Sequence, residues 1–204
     1  MSVLVALLLA AASAPADPAA RPPDSVPVAG VDDAPRRGTY VEAALGVFTA
    51  MGGSRRFSSG QPYLGMTVGH DLGALASIFA SLGVGAASAS CYQPGPGGEC
   101  LGADSFGATF LELGVSYGMP LLPRTLFSVK LLGGYTDLSP GPVQSDGRVP
   151  DHLGGFHAGA GLSFDYDTRL DHFALGLDAV FRETFARSLT LPSLAVMPRI
   201  RYVF

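Results

Sequence analysis

Apolar and polar residues alternate with a period of two through most of the chain after residue 38, and this period predicts β-strands rather than helices. The clearest segment is Thr109 to Tyr117, in which Leu111, Leu113 and Val115 share one face with Tyr117. Eight segments follow the rule, at positions 40–47, 63–68, 77–84, 109–117, 127–136, 156–166, 173–182 and 194–204. An even number of strands is what a closed up-and-down barrel requires.

The polar face decides which kind of barrel this is. One face is apolar and edged with aromatic residues. The other carries Gly, Ser and eight charged residues, namely Glu42, Glu112, Lys130, Asp165, Asp178, Arg182, Arg199 and Arg201. Small side chains and balanced charges suit the narrow lumen of an eight-stranded barrel, and the apolar face suits lipid. A sheet in lipid must close to pair its backbone. The sequence therefore predicts an all-β, eight-stranded antiparallel transmembrane β-barrel with a polar lumen, spanning residues 38–204.

The connections between the segments alternate in length. Long ones are expected at 51–61, 90–104, 138–154 and 186–191, and short turns at 71–74, 120–124 and 168–171. Outer-membrane barrels place long loops outside the cell and short turns in the periplasm, so both ends of the barrel should lie in the periplasm. Pro198 falls inside the last strand and lacks an N–H, which predicts a bulge or a missing bond beside the first strand.

The N-terminus carries an export signal. The apolar run from Val3 to Ala12 is too short for a membrane-spanning helix, which needs about 20 residues, and it fits a secretory signal peptide over residues 1–16. Five prolines in residues 17–37 then predict a disordered periplasmic leader. In an exported chain, Cys91 and Cys100 are expected to form a disulfide, because a metal site would need further ligands.

Composition excludes two further classes. A formal net charge of −4, with one Lys and no basic run, argues against nucleic-acid binding. With 48% apolar and only 15% charged residues, the chain as a whole is not disordered.

Catalytic signals are weak, and we expect no enzyme activity and no cofactor. The G-x-S-x-G match at 114–118 lies inside a strand instead of at a strand–turn–helix elbow. His157 faces the lumen, with Ser163 and Glu112 on the same side, whereas a lipid hydrolase needs its pair on the outward surface. Asp165, Asp167 and Asp171 lack the spacing of a calcium loop.

The lumen charges form either a salt-bridged plug or a narrow proton or ion path. At eight strands, the plug is the expected arrangement. A lipid-modifying enzyme, a small pore and a soluble lipocalin-like barrel remain the alternatives to a structural barrel.

The C-terminus resembles the signal read by the bacterial β-barrel assembly machinery. Its alternate positions are Ile200, Tyr202 and the terminal Phe204. The resemblance implies a Gram-negative outer-membrane location, with outer-membrane lipids and that machinery as partners.

A narrower resemblance involves Asp165–Gly176, Thr39–Glu42 and Leu191–Leu194. These segments are similar to small myxobacterial outer-membrane proteins of adventurous gliding motility, of the CglE kind. That resemblance implies a non-enzymatic, anchoring component of an envelope complex, with motility-complex proteins as partners.

Overall fold

The computed structural model describes residues 37–51, 60–88, 105–141, 151–170, 172–186 and 189–204. They form eight antiparallel strands that close into one barrel in chain order, each strand pairing with the next and β8 with β1. The strands are β1 (Thr39–Ala50), β2 (Gln61–Asp71), β3 (Ala76–Ser88), β4 (Ser105–Leu122), β5 (Thr125–Ser139), β6 (Leu153–Asp167), β7 (Phe173–Ala186) and β8 (Leu189–Val203). The predicted fold class is confirmed.

The strand register fixes the tilt of the barrel. The paired residues, followed from Thr39 of β1 through all eight strands, lead back to β1 at Thr49, ten residues along. With usual strand spacings, this shear corresponds to a tilt of about 40°. The lumen of such a barrel is just wide enough for side chains to fill it.

The outward wall is apolar and the inward face carries the charges. Leu113 is 69% exposed, whereas its chain neighbour Glu112 is 2% exposed and points inward. The same alternation holds along β5, where Val129 and Leu131 are exposed and Lys130 is buried. A wall of this kind is stable in lipid and not in water.

Aromatic side chains mark both edges of the apolar wall. Toward the turns lie Tyr117, Phe127, Phe164, Tyr166, Phe173, Tyr202 and Phe204. Toward the loops lie Tyr135, Phe156, Phe181 and Phe185. Along β5, Phe127 and Tyr135 are eight residues apart, which corresponds to about 20 Å along the barrel axis at this tilt. The distance is close to the apolar band of outer-membrane barrels, about 25 Å.

The two mouths of the barrel differ in their connections. The turn mouth contains both barrel ends and the short connections 72–75, 123–124 and 168–172. We call the other end of the barrel, where β1 joins β2, β3 joins β4, β5 joins β6 and β7 joins β8, the loop mouth. The long last connection expected at 186–191 was wrong, because β7 continues to Ala186 and β8 begins at Leu189. The period-two pattern is weak there, since Leu191 faces inward and is buried.

Pro198 interrupts the seam between β1 and β8. Pairs are present at Ala44–Arg199 and at Val47–Val196, but the two pairs between them are missing. Pro198 has no N–H to offer the facing β1 backbone. The strands also approach closely here: a Cβ on Gly46 would lie 2.2 Å from the carbonyl oxygen of Val196. The seam has the missing bond that the sequence predicted.

The C-terminal residues are hydrogen-bonded to neighbouring strands at the turn mouth. The backbone N–H of Val203 donates to the carbonyl of His172, and that of Phe204 donates to Thr39. The His172 ring stacks on Tyr202, with centroids 5.4 Å apart. The last strand is thereby joined to both of its neighbours.

Across the described ranges, no helix is long and apolar enough to cross a membrane. The signal peptide and most of the leader lie outside these ranges, as do Cys91 and Cys100, so all three assignments stay predictions.

Candidate functional site: the ion-paired lumen

The structure places all eight charged residues of the sequence analysis inside the barrel. Each is at most 8% exposed. They come from six strands: Glu42 from β1, Glu112 from β4, Lys130 from β5, Asp165 from β6, Asp178 and Arg182 from β7, and Arg199 and Arg201 from β8. Four carboxylates face four cations, so the formal charge of this set is zero. Buried ions are tolerated when each is paired in this way.

Arg199 is the centre of the larger group of ions. Its Nε lies 2.9 Å from Oδ1 of Asp178, its Nη2 lies 2.5 Å from Oδ1 of Asp165, and its Nη1 donates to Oε1 of Glu42. Nη2 also donates to the hydroxyl of Ser163 at 2.7 Å. One planar guanidinium thus binds carboxylates from three different strands, a geometry that a lysine does not reproduce.

Two further cations complete this group, which we call the Arg199 cluster (Glu42, Lys130, Asp165, Asp178, Arg199 and Arg201). Nζ of Lys130 lies 2.6 Å from Oδ2 of Asp178. Nε of Arg201 lies 2.8 Å from Oε1 of Glu42, and its guanidinium lies 3.8 Å from the centre of the Tyr40 ring. Asp165 has Arg199 as its close cationic partner, while Glu42 and Asp178 each have two.

A second group, the Arg182 cluster, lies nearer the loop mouth. Arg182 binds Glu112 through two nitrogens: Nε donates to Oε1, and Nη2 lies 3.2 Å from Oε2. Nη2 also donates to the Tyr63 hydroxyl at 3.1 Å, and the guanidinium lies 4.9 Å from the centre of the Phe110 ring. Ser81 donates to Oε2 of Glu112 at 2.8 Å. A bidentate pair of this kind fixes both side chains in a single orientation.

His157 lies beside this cluster. Its Nδ1 is 2.7 Å from the hydroxyl of Thr136. Its Nε2 is 3.1 Å from Oε1 of Glu112, but it lacks the alignment of a hydrogen bond. Among the described residues, Nε2 of His157 and Nη1 of Arg182 are the buried side-chain atoms without a hydrogen-bond partner. The period-two pattern puts His157 and Glu112 on the same side of the sheet, and the structure brings these two side chains together.

Ser163 belongs to the other cluster. Its hydroxyl donates to Oδ1 of Asp178 at 2.6 Å. His157 and Ser163 therefore have separate partners and do not form a nucleophile–base pair. Ser116, the serine of the G-x-S-x-G match, lies within β4, and its Oγ is 2.6 Å from Oγ of Ser77. Among the described residues, no three His, Cys, Asp or Glu side chains are arranged to hold a metal.

A small cavity lies between the two clusters. It measures about 40 Å³ and is lined by charged groups of both clusters, including Asp178, Arg182 and Arg199. A buried water requires at least about 10–15 Å³ of such space, so the cavity has room for about three. The lumen around it is filled with side chains.

The half of the lumen toward the loop mouth also contains a large apolar group, which the period-two pattern did not predict. Phe48, Tyr63 and Phe110 pack together there, with ring centroids 5.7–6.3 Å apart. Phe106, Leu138, Leu153 and Leu191 belong to the same buried cluster. Phe110 and Glu112 share an inward parity, so the pattern of β4 alone could have shown that this face is mixed. Because these side chains are large, they occupy much of the lumen on this side of the Arg182 cluster.

Comparisons with known proteins give the fold class. No family model and no curated protein sequence matches the chain. Among solved structures, the chain is similar to Neisserial surface protein A, at a TM-score of 0.61 and 9% identity, over 82% of this chain and 97% of that one. It is also similar to the outer membrane protein OprG from Pseudomonas aeruginosa, at a TM-score of 0.54 and 12% identity, over 83% and 97%. The chain has the eight-stranded outer-membrane β-barrel fold.

Proposed function

We propose that this chain is a non-enzymatic outer-membrane barrel that anchors an envelope complex, and that the complex is the adventurous gliding motility machinery. The filled lumen is the observation that supports the non-enzymatic, anchoring role. Arg199 and its three carboxylates occupy the half of the lumen toward the turn mouth, and the Arg182 cluster and the apolar group around Phe48 and Phe110 occupy the half toward the loop mouth. A barrel filled in this way has its turns, loops and outward wall available for contacts.

The resemblance to gliding proteins supports the assignment of that complex to the gliding machinery. Two of its three segments, Thr39–Glu42 and Asp165–Gly176, lie at the turn mouth, where the last strand joins them through His172 and Thr39. We infer that this mouth faces the periplasm and contacts the rest of the machinery.

Deletion of the gene tests this proposal. We expect single cells to lose adventurous gliding, and the wild-type gene to restore it when supplied from another locus. Co-purification from detergent-solubilised outer membranes should then recover motility proteins. Normal gliding of the deletion strain would refute the motility role.

Planar-bilayer recording tests the plug. The wild-type barrel should show no sustained unit conductance, because two ionic clusters and an apolar layer fill the lumen. An Arg182→Ala variant removes the two hydrogen bonds to Glu112 and a large lumen side chain, and its conductance serves as the comparison for a less filled lumen. Sustained channels in the wild-type protein would overturn the anchoring role in favour of a small pore.

A further inference from the structure

The cavity between the two ion clusters is polar, and its lining carries no net formal charge. Three acidic and three basic side chains line it: Glu42, Glu112, Asp178, Lys130, Arg182 and Arg199. Each of these residues is at most 8% exposed, so the cavity lies deep in the lumen. Polar cavities of this kind hold buried water in proteins, whereas cavities that stay dry are apolar.

One nitrogen of Arg182 has no acceptor. Nε and Nη2 donate to Glu112, and Nη2 also donates to the Tyr63 hydroxyl. Among the residues that the structure describes, Nη1 is without a hydrogen-bond partner, although Arg182 is only 2% exposed. A buried guanidinium N–H without an acceptor is costly, because it has given up its bonds to water. Since Arg182 lines the cavity, an acceptor there would remove this cost.

The Arg199 cluster presents both donors and acceptors to the same cavity. Both arginine contacts of Glu42 are made by its Oε1, so Oε2 keeps its capacity to accept. Nζ of Lys130 carries three N–H donors and gives one to Asp178. The Thr67 hydroxyl, which also lines the cavity, can donate and accept. A molecule in the cavity can therefore bond to both clusters.

From these observations we propose that the cavity is a water site, in which about three ordered waters join the Arg182 cluster to the Arg199 cluster. One water accepts from Nη1 of Arg182, and the connected waters donate to Oε2 of Glu42. The remaining protons of Lys130 and the hydroxyl of Thr67 complete their hydrogen bonds. Water fits because it both donates and accepts and adds no charge, whereas an ion would leave this neutral lumen with an uncompensated buried charge. The inference is independent of the motility role.

A crystal structure of the purified barrel protein in lipid, at a resolution that shows ordered water, tests the site directly. We expect about three waters in the cavity, one of them within hydrogen-bond distance of Nη1 of Arg182 and one within hydrogen-bond distance of Oε2 of Glu42. An anomalous signal in the cavity after a bromide soak would identify an anion and overturn the proposal. Binding of xenon there would also overturn it, because xenon occupies dry apolar cavities.

Substitutions at Ala44, which lines the cavity, test whether these waters stabilise the barrel. Valine and threonine are both β-branched and similar in size, so any overpacking should be alike in the two variants. Ala44→Val displaces water and leaves Nη1 of Arg182 unpaired, whereas the hydroxyl of Ala44→Thr takes over a hydrogen bond. Leaving a buried donor unsatisfied costs about tenfold in an equilibrium constant. In urea titrations in lipid vesicles, we therefore expect an unfolding constant about tenfold larger for Ala44→Val than for Ala44→Thr.

Ala43 is the matched control, because it is the neighbouring alanine on β1 and faces lipid. For Ala43→Val and Ala43→Thr the order of stability should be reversed, since a hydroxyl gains no partner from acyl chains. Heat-modifiable gel migration verifies that each variant is folded. Equal unfolding constants for the two Ala44 variants, or a more stable Ala44→Val, would show that bound water does not satisfy the lining of the cavity and would overturn the proposal.

Discussion

Removal of Arg199 should destabilise the barrel more than the loss of any single surface charge. Arg199→Met takes one cation from three carboxylates and leaves Asp165 without its close cationic partner. Breaking a buried ion pair costs about 3–5 kcal/mol, because the remaining charge stays in a medium of low dielectric constant. We therefore expect the free energy of unfolding to fall by about 3–5 kcal/mol.

The double variant Arg199→Met/Asp165→Asn separates this electrostatic effect from simple loss of packing. It removes one charge of each sign and leaves two intact pairs, Glu42 with Arg201 at 2.8 Å and Asp178 with Lys130 at 2.6 Å. The double variant should consequently be more stable than Arg199→Met alone. Such non-additivity is expected for residues in direct contact.

Urea unfolding in lipid vesicles, followed by the gel shift between folded and unfolded barrel, measures both variants. Arg199→Lys is the conservative control, since it keeps the charge and loses the planar fork; it should fall between the wild type and Arg199→Met. A loss below about 1 kcal/mol in Arg199→Met, or a double variant less stable than the single one, would show that water screens the cluster and refute the reasoning.

Three other predictions concern the wall. Gly46→Ala should sharply reduce the folded fraction on heat-modifiable gels, because its Cβ would lie 2.2 Å from the Val196 carbonyl oxygen, whereas Gly133→Ala, with its nearest contact at 3.4 Å, should fold normally. In Pro198→Ala, position 198 gains an amide that faces β1, and hydrogen exchange should find it protected; fast exchange would show that the seam is open for another reason. Leu113→Arg should cost about 2–4 kcal/mol of unfolding free energy in vesicles, against about 0–1 for Thr109→Arg near the loop mouth; equal costs would contradict the lipid-facing wall.

The barrel itself was predictable because side chains alternate strictly along a strand. A shift of one residue would move Leu113 into the lumen and Glu112 into lipid, so the pattern of β4 permits only one orientation. The same rule correctly gave the inward position of all eight lumen charges. Pro198 was informative for a similar reason, since a missing N–H is a property of the residue alone.

The contacts within the lumen were not predictable from one sequence. Arg182 and Glu112 are 70 residues apart, and their pairing depends on the shear of the closed barrel rather than on the pattern of either strand. The apolar group in the loop half of the lumen was missed because Phe110 and Leu138 share the parity of the charged residues. The extended β4–β5 hairpin was also missed, since Pro120 indicated a turn and instead lies within β4.

The positions of the ions along the chain have a consequence for folding. Arg199 comes from the last strand, while the carboxylates that it binds come from the first, the sixth and the seventh. A partly assembled sheet would hold Glu42, Asp165 and Asp178 with too few cations to neutralise them. Neutrality of that half of the lumen is reached only when the C-terminal strand arrives, so electrostatics favours the complete cylinder over every intermediate that lacks it.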